Sequence, residues 1–242
     1  IIHLGAQAGV RYSISNPEKY FDSNLSGFFN ILDLSKKYKI KHLIFASTSS
    51  VYGDTEKFPL KEDFDTSKPL SFYAATKKAN EVMAHSYSYL HNIPITALRF
   101  FTVYGPFGRP DMSLYKFTEA INDNKKIDLY NNGKHIRDFT YVGDVVNYIK
   151  RIITKPKKSK IPFQILNVSS NNPVPLKSFV NLIEKKLNRK AKINFKNLQQ
   201  GDVKKTHGDN SKINTITKFK PETSLEEGVN KFIDWYINKN KK

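Results

Sequence analysis

The chain is 242 residues long, with 40 Lys and Arg against 22 Asp and Glu and a formal charge of +18. The absence of Cys excludes disulfides and thiolate metal sites and suits a reducing cytoplasm; no metal is expected. No apolar run reaches the roughly 18 residues that cross a bilayer, and the basic residues are 34 scattered Lys and only six Arg, so neither a membrane nor a nucleic acid is the expected partner.

Residues 1–6 predict a buried strand opening into Gln7-Ala8-Gly9. Asn16-Pro17 predicts a helix start, with Asn16 as the cap and Pro17 at the first helical position. That helix runs to about Tyr38, with Phe21, Leu25, Phe28, Phe29 and Leu32 on its apolar side. A strand at 42–46 leads into Ser47-Thr48-Ser49, and a loop with Pro59 and Pro69 leads to a helix over 71–90. A strand at 95–101 precedes Thr102-Val103-Tyr104-Gly105. The second half predicts helices at 113–122, at 176–187 and from Ser224, where Ser224 and Glu227 form a capping box. It predicts strands at 127–130, 163–168 and 192–195, and a short segment at 138–141 before a further helix. The basic runs at 155–160 and 239–242 read as solvated faces, with a mild field toward anionic substrates.

Strands alternating with amphipathic helices predict an α/β fold built on a parallel sheet. In such a sheet the site lies beyond the carboxyl ends of the strands, where Gly5-Ala6-Gln7, Ser47-Thr48-Ser49 and Thr102 to Gly105 stand. Tyr73 and Lys77 are four apart on a helix and face the same way. A free phenol, with a pKa of about 10, is a poor base at pH 7. An ammonium about 4 Å away, at an effective dielectric of about 20, is worth up to roughly 4 kcal/mol, and so is expected to lower the phenol toward neutrality. Tyr73 then serves as a general base, and Thr48 shares the hydrogen bond to the substrate oxygen. Alone, Tyr-x-x-x-Lys is more often a solvent-facing pair; the hydroxyl run upstream turns the reading toward redox chemistry at a sugar or alcohol carbon.

Eight segments carry a resemblance: His3-Leu-Gly-Ala-Gln-Ala-Gly-Val-Arg-Tyr12, Asp22-Ser-Asn-Leu25, Phe45-Ala-Ser-Thr-Ser-Ser-Val-Tyr-Gly53, Tyr73-Ala-Ala-Thr-Lys-Lys-Ala-Asn80, Leu98-Arg-Phe-Phe-Thr-Val-Tyr-Gly-Pro106, Gly108-Arg-Pro-Asp-Met112, Arg137-Asp-Phe-Thr140 and Gly201-Asp-Val203. In this order they resemble the extended short-chain dehydrogenase/reductases of the NAD-dependent epimerase/dehydratase group, and within it the 4-epimerases of UDP-glucuronate. The resemblance implies a Rossmann-type, doubly wound sheet with a smaller α/β substrate domain. It implies NAD as cofactor, lined by Leu4, Gly5, Ala6, Asn24, Ser47 and Phe100, with Tyr73 and Lys77 at its nicotinamide ribose. It implies that Tyr73 takes the proton of the sugar 4-hydroxyl, that C4 passes through a ketone, and that the net result inverts C4. On the UDP-sugar side it implies Thr102 and Arg137 at the diphosphate, Asp202 at the uridine ribose, and Ile127 and Tyr130 near the uracil. For Arg137 the plainer reading is a surface salt bridge.

Two positions narrow the reaction. Related dehydratases carry Asp-Glu after the catalytic Thr, and decarboxylases carry a Glu two residues after it; Ser49 and Ser50 stand here, have no carboxyl, and leave simple epimerisation. Arg109 is expected to hold a uronate carboxylate, with Arg11 as a second candidate. Its physical need is that a 4-keto uronate is a β-keto acid, which loses CO2 readily when its carboxylate stands perpendicular to the carbonyl plane. The plainer reading has Arg109 cap a helix or pair with Asp111.

No glycine-rich pyrophosphate turn occurs among the 11 glycines; Gly105-Pro106-Phe107-Gly108 is the nearest pattern, and Pro106 removes a donor from it. Residues 1–6 match the fourth strand of the resembled fold, so the expectation is that about 70 to 80 residues and three strands precede them, that the 242-residue chain alone binds NAD poorly, and that a sheet edge and apolar helix faces are exposed. Residues 1–104 are read as the remaining NAD-binding domain and 105–242 as mainly the substrate domain, with a segment around 135–170 returning to the first. A homodimer through helices 17–38 and 71–90 is the family expectation. The alternatives are a 4-epimerase of neutral UDP-hexoses and, from a different class, an inactive fragment or polyanion-binding remnant.

Overall fold

The structure is a computed structural model in which residues 1–240 are described; Lys241 and Lys242, the end of the basic run at 239–242, lie outside the described residues. In chain order the elements are β1 (Ile2–His3), α1 (Tyr12–Ser15), α2 (Pro17–Tyr20), a π-helical turn (Phe21–Ser26), α3 (Gly27–Lys37), β2 (Leu43–Thr48), a 3-10 turn (Ser49–Tyr52), α4 (Phe72–His91), β3 (Ile95–Phe100), β4 (Thr102–Tyr104), α5 (Ser113–Asn122), β5 (Lys126–Leu129), a second 3-10 turn (Asn131–Gly133), β6 (Ile136–Tyr141), α6 (Val142–Ile152), β7 (Phe163–Val168), β8 (Pro173–Pro175), α7 (Leu176–Leu187), β9 (Lys192–Phe195), α8 (Ser211–Thr217) and α9 (Leu225–Asn240).

β1, β2, β3 and β7 form a parallel sheet in that order. Side chains alternate across it, so Leu43 and Phe45 face α3 and α4 while Ile44, Leu98 and Leu166 face α6 and α8. Both faces are thus covered, as a parallel sheet requires. Each fully buried Phe or Leu contributes roughly 1.5–3 kcal/mol. The register is level at the carboxyl end: Ser47 pairs with Arg99 and Arg99 with Asn167, and one residue on, Thr48 pairs with Phe100 and Phe100 with Val168.

Beyond β3 the chain builds a second layer from β4-β6-β8 and β5-β9. Its core joins α5, α7 and α9 around Phe139 and Phe179, whose rings stack at 4.3 Å. β7 and α6 nevertheless belong to the first sheet and its core.

Several local expectations change. Asn16 does not cap: its amide donates to Ser15 Oγ, and Pro17 alone opens α2. The helix expected over 17–38 is interrupted by the π turn, where the Asn24 carbonyl accepts from Asn80 Nδ2. The strand expected over 1–6 shortens to β1, which pairs only with β2 among the described residues, and Ile1, Ile2 and Leu4 are exposed. The Ser224 hydroxyl does accept from Glu227 N at 3.2 Å, but the Glu227 carboxylate turns outward to Lys231. No helix among the described residues is long and apolar enough to cross a membrane.

Candidate active site

The site grows from the end of β2 and the start of α4. Thr48 closes the strand in extended backbone and caps the turn after it, its hydroxyl accepting from Ser50 N and donating to Ser50 Oγ, both at 3.2 Å. Ser71 caps α4 by accepting from Ala74 N. These two caps bring Tyr73, in the first turn of α4, against Thr48. Burial pushes the Tyr73 phenol above its ordinary value, while the Thr48 hydroxyl hydrogen-bonded to it and the Arg109 guanidinium pull it back. Ser49 and Ser50 line the same turn, half-buried.

Lys77 departs from expectation. It is 4% exposed, and burial lowers it to about 8. Its charge reaches His3, not the Tyr73 phenol, because it stands one turn deeper beside β1. The expected lowering of Tyr73 by Lys77 is therefore absent, and Thr48 and Arg109 take that role. The ammonium has no hydrogen bond or ion pair among the described residues, and, unlike Asn80 Oδ1 and His135 Nε2, its tip is not sealed from solvent.

The other residues expected at a dinucleotide divide in two. Leu4, Gly5 and Ala6 form an exposed irregular segment after β1. Asn24, buried in the π turn, shapes that turn by holding the Gln7 backbone: it accepts from Gln7 N at 2.8 Å and donates to Gln7 O at 3.0 Å and to Thr76 Oγ1. Its amide is used within the protein. The Ser47 hydroxyl donates to Glu81 Oε1 at 2.7 Å, toward α4. Phe100 packs half-buried on the Ile44 and Leu98 core. Of these residues Lys77 offers the best fit to a nicotinamide nucleotide: an ammonium with no partner among the described residues, suited to ribose hydroxyls.

A second cluster lies where the loop after β1 meets the second layer. Arg11 pairs with Asp202 at 3.2 Å and lies over the Tyr130 ring at 4.4 Å. Arg137 donates to the carbonyls of Ile136, Val203 and Lys204, and so fixes the loop carrying Asp202; burial lowers it to about 10. It is thus a half-buried clamp on backbone carbonyls and not a surface salt bridge. Two guanidinium groups against one carboxylate leave the cluster cationic, as a diphosphate site requires. Arg11 stands here, its guanidinium taken up by Asp202 and Tyr130. Ile127 is 3% exposed within the second-layer core, since strand alternation sends it inward with Leu129, so its side chain is not offered to a base. Thr102 is half-buried on β4. Arg109 pairs bidentately with Asp111 at 2.9 and 2.7 Å, yet its charge still acts on Tyr20 and Tyr73.

Three features escaped the sequence. Tyr20 donates to Gly9 O at 2.6 Å and sets its ring 6.0 Å from that of Tyr73. His135, 4% exposed beside Arg137 and Asp202, has a buried Nε2 without a partner, and burial lowers it to about 4. Glu81 and Arg99 form a buried bidentate pair. A lone His and two mid-element charges carry no spacing signal; only an unusual charge inside the apolar run of β3 hints at Arg99.

Residues 1–232 match the profile of the family described as GDP-mannose 4,6 dehydratase. The chain is 49% identical to protein CapI of Staphylococcus aureus, over 100% of this chain and 77% of that one. It is 46% identical to a probable UDP-glucuronate 4-epimerase of Rhizobium meliloti, over 98% of this chain and 74% of that one. Among solved structures it is similar to the UDP-glucuronic acid 4-epimerase of Bacillus cereus in complex with UDP-glucuronic acid and NAD, with a TM-score of 0.90 at 31% identity over 96% of this chain and 73% of that one.

Proposed function

This chain belongs to the GDP-mannose 4,6 dehydratase family of extended short-chain dehydrogenase/reductases, and from that premise we propose that it is an NAD-dependent 4-epimerase of UDP-sugars acting on UDP-glucuronate. The observation that carries the reading is the pairing of Lys77, a 4% exposed side chain whose ammonium has no partner among the described residues, with a Tyr73 phenol beside Thr48 on the same helix face. NAD, when bound, supplies the acceptor and then the donor of the hydride at C4. Lys77 holds its nicotinamide ribose, with the Gly5 and Ala6 backbone alongside. Tyr73 takes the proton of the sugar 4-hydroxyl and returns it after the 4-keto sugar has turned over, and Thr48 holds the oxygen in reach of both steps. The Thr48 hydroxyl and the Arg109 charge favour the Tyr73 anion that this needs.

Arg137, Arg11 and Asp202 bind the nucleotide diphosphate and ribose, with Tyr130 against the base and Thr102 beside the diphosphate. The absence of a carboxyl at Ser49 and Ser50 leaves no group for elimination, which separates this chain from the dehydratase chemistry in the family's name. Arg109 exchanges Asp111 for the sugar carboxylate and holds it out of line with the C4 carbonyl. In the same reading residues 1–104 with the returning segment around 135–170 are the cofactor domain. A second copy packs on helices 17–38 and 71–90, where Phe29, Leu34, Tyr38, Val82, Tyr89 and Leu90 are exposed; a monomeric mass in solution counts against that packing.

The test is turnover by the purified protein. UDP-glucuronate is expected to give UDP-galacturonate, with UDP-glucose turned over far more slowly. Arg109→Ala is expected to raise KM for the uronate by about 10- to 100-fold, the worth of a charge-assisted hydrogen bond, and to release a UDP-pentose. Full uronate turnover by Arg109→Ala with no pentose removes the carboxylate role, and equal use of UDP-glucose favours the neutral-hexose reading.

A further inference from the structure

Helix α4 carries Tyr73 and Lys77, yet its buried residues are Ala74, Thr76, Lys77, Asn80, Glu81, Ala84 and Ser88. None is a large apolar side chain. Farther along the helix the half-buried Met83 and Tyr87 pack on the Leu43 and Phe45 core, but around Tyr73, Lys77 and Glu81 interlocking of bulky groups, which fixes most helices axially, is lacking, and polar contacts set where this half of the helix stands. The strongest is Glu81, which follows Tyr73 by eight residues and Lys77 by four and so shares their face. Its Oε1 and Oε2 accept from Arg99 Nε and Nη2, both at 2.8 Å, and Oε1 also accepts from Ser47 Oγ at 2.7 Å. Lys78 adds a looser contact at 3.5 Å.

Arg99 is held from the other sides. Its Nη1 donates to Glu62 O at 3.2 Å, and its guanidinium lies 4.7 Å over the Tyr52 ring. The Tyr52 hydroxyl donates to Asn167 Oδ1 at 2.7 Å. Ser47, Arg99 and Asn167 are register partners on β2, β3 and β7, so they form a buried polar belt across the sheet one residue before Thr48. A buried ion pair of this kind adds little stability over an apolar pair of equal volume. What the belt does supply is a fixed distance between the end of β2 and the face of α4.

We propose that Glu81 and Arg99 are positioning residues for the reaction, holding the Tyr73 hydroxyl and the Lys77 ammonium in register with Thr48 through Ser47. Neither touches substrate or cofactor; each acts through α4. The inference rests on the epimerase reading above. A displacement of about 1 Å at reacting groups costs on the order of 100-fold in rate.

The experiment uses the purified protein and two variants. The paired Glu81→Leu/Arg99→Met exchange removes both charges together, leaving none uncompensated, and Ser47→Ala removes only the hydrogen bond from β2. For the pair, kcat is expected to fall roughly 100-fold with KM for the UDP-sugar within about twofold, and Ser47→Ala to lower kcat several-fold with KM unchanged. In substrate-free protein, the ionisation of Tyr73, read as the ultraviolet difference from Tyr73→Phe, is expected to move to higher pH in both variants as the Thr48 hydrogen bond loosens. A kcat and a Tyr73 ionisation equal to the parent's in a folded variant overturn the proposal, as does a rise in KM matching the loss in kcat. If the pair does not fold, Ser47→Ala decides alone. A parent that turns over no UDP-sugar sinks the epimerase reading instead, and the Tyr73 ionisation still reports on the belt.

Discussion

At the carboxyl ends of β2 and β3 the ion pair is sealed: Arg99 and Glu81 side chains are 1% and 2% exposed and meet through two hydrogen bonds of 2.8 Å. In the cluster where the loop after β1 meets the second layer, Arg11 and Asp202 are 50% and 16% exposed and meet through one contact of 3.2 Å. The sealed pair cannot rearrange without leaving a charge in the core, so it fixes geometry. The open pair exchanges partners at little cost, so it suits a site whose groups must release one another to receive a ligand. In the proposed function, chemistry that depends on a proton moving over a fixed distance falls beside the first, and recognition of a flexible diphosphate beside the second.

The comparison breaks most visibly at Tyr73. Tyr73→Phe keeps the ring, its packing against Tyr20 and the α4 cap, and loses only the hydroxyl. Removing a general base costs about 100- to 10,000-fold in rate, so kcat is expected to fall by at least 100-fold while UDP affinity, proposed to be set at the Arg11 and Asp202 cluster, stays within about twofold by calorimetry. A variant that keeps a tenth of parent activity, on the order of one decade lost, shows that the fixed region does not hold the base.

Lys77 separates function from stability inside the same region. Its folded value of about 8 lies below the ordinary 10.5 because of burial. Above pH 10.5 neither state is protonated; between 8 and 10.5 the unfolded chain holds a proton that the folded one lacks, so stability rises with pH through that window. Below pH 8 both states are protonated and the folded one bears the whole cost of burying the ammonium, about 3 kcal/mol. Lys77→Met is therefore expected to raise Tm at pH 7 by roughly 5–10 °C, to flatten the rise between pH 8 and 10.5, and to abolish turnover. An unchanged Tm with the same pH dependence shows that the ammonium is solvated or paired.

The two regions also differ in how far they can be read from the chain. Tyr73, Lys77 and Thr48 stand at fixed spacings on regular elements, and strand and helix periods bring Thr48 and Tyr73 together and set Lys77 one turn away. What the period does not carry is the environment. It places Lys77 on the face of Tyr73, but not one turn deeper against His3. The resemblance places Ser47 and Asn24 at the site, without showing that Glu81 and Gln7 have already taken their side chains. In the open cluster the contacts span long separations, 191 residues for Arg11 and Asp202, and depend on how two loops meet. Only the resemblance linked Arg137, Tyr130 and Asp202, and it did not pair Arg11 with Asp202. α8 went unseen because Ser, Asn and Thr are indifferent helix formers and few of its residues are buried.

Arg11 offers the finest test of the contrast. A half-exposed ion pair is worth about 0–1 kcal/mol, and stacking on Tyr130 adds roughly 0.5–1 kcal/mol at an exposed site, so Arg11→Ala is expected to shift Tm by only about 2–4 °C. Its effect on ligands should depend on their charge. For Asp202 to accept ribose hydroxyls it must first release Arg11, and in Arg11→Ala that release is already made. Uridine, which has no phosphate, is expected to bind the variant up to roughly fivefold tighter, the equivalent of about 1 kcal/mol. UDP gains the same freed carboxylate but loses a guanidinium facing its diphosphate, so its affinity is expected to fall. Opposite signs for the two ligands in titration calorimetry mark Asp202 as a group that changes partners on binding. Equal shifts for both mean that Arg11 and Asp202 stay together in the complex, and that the open pair is as fixed as the sealed one.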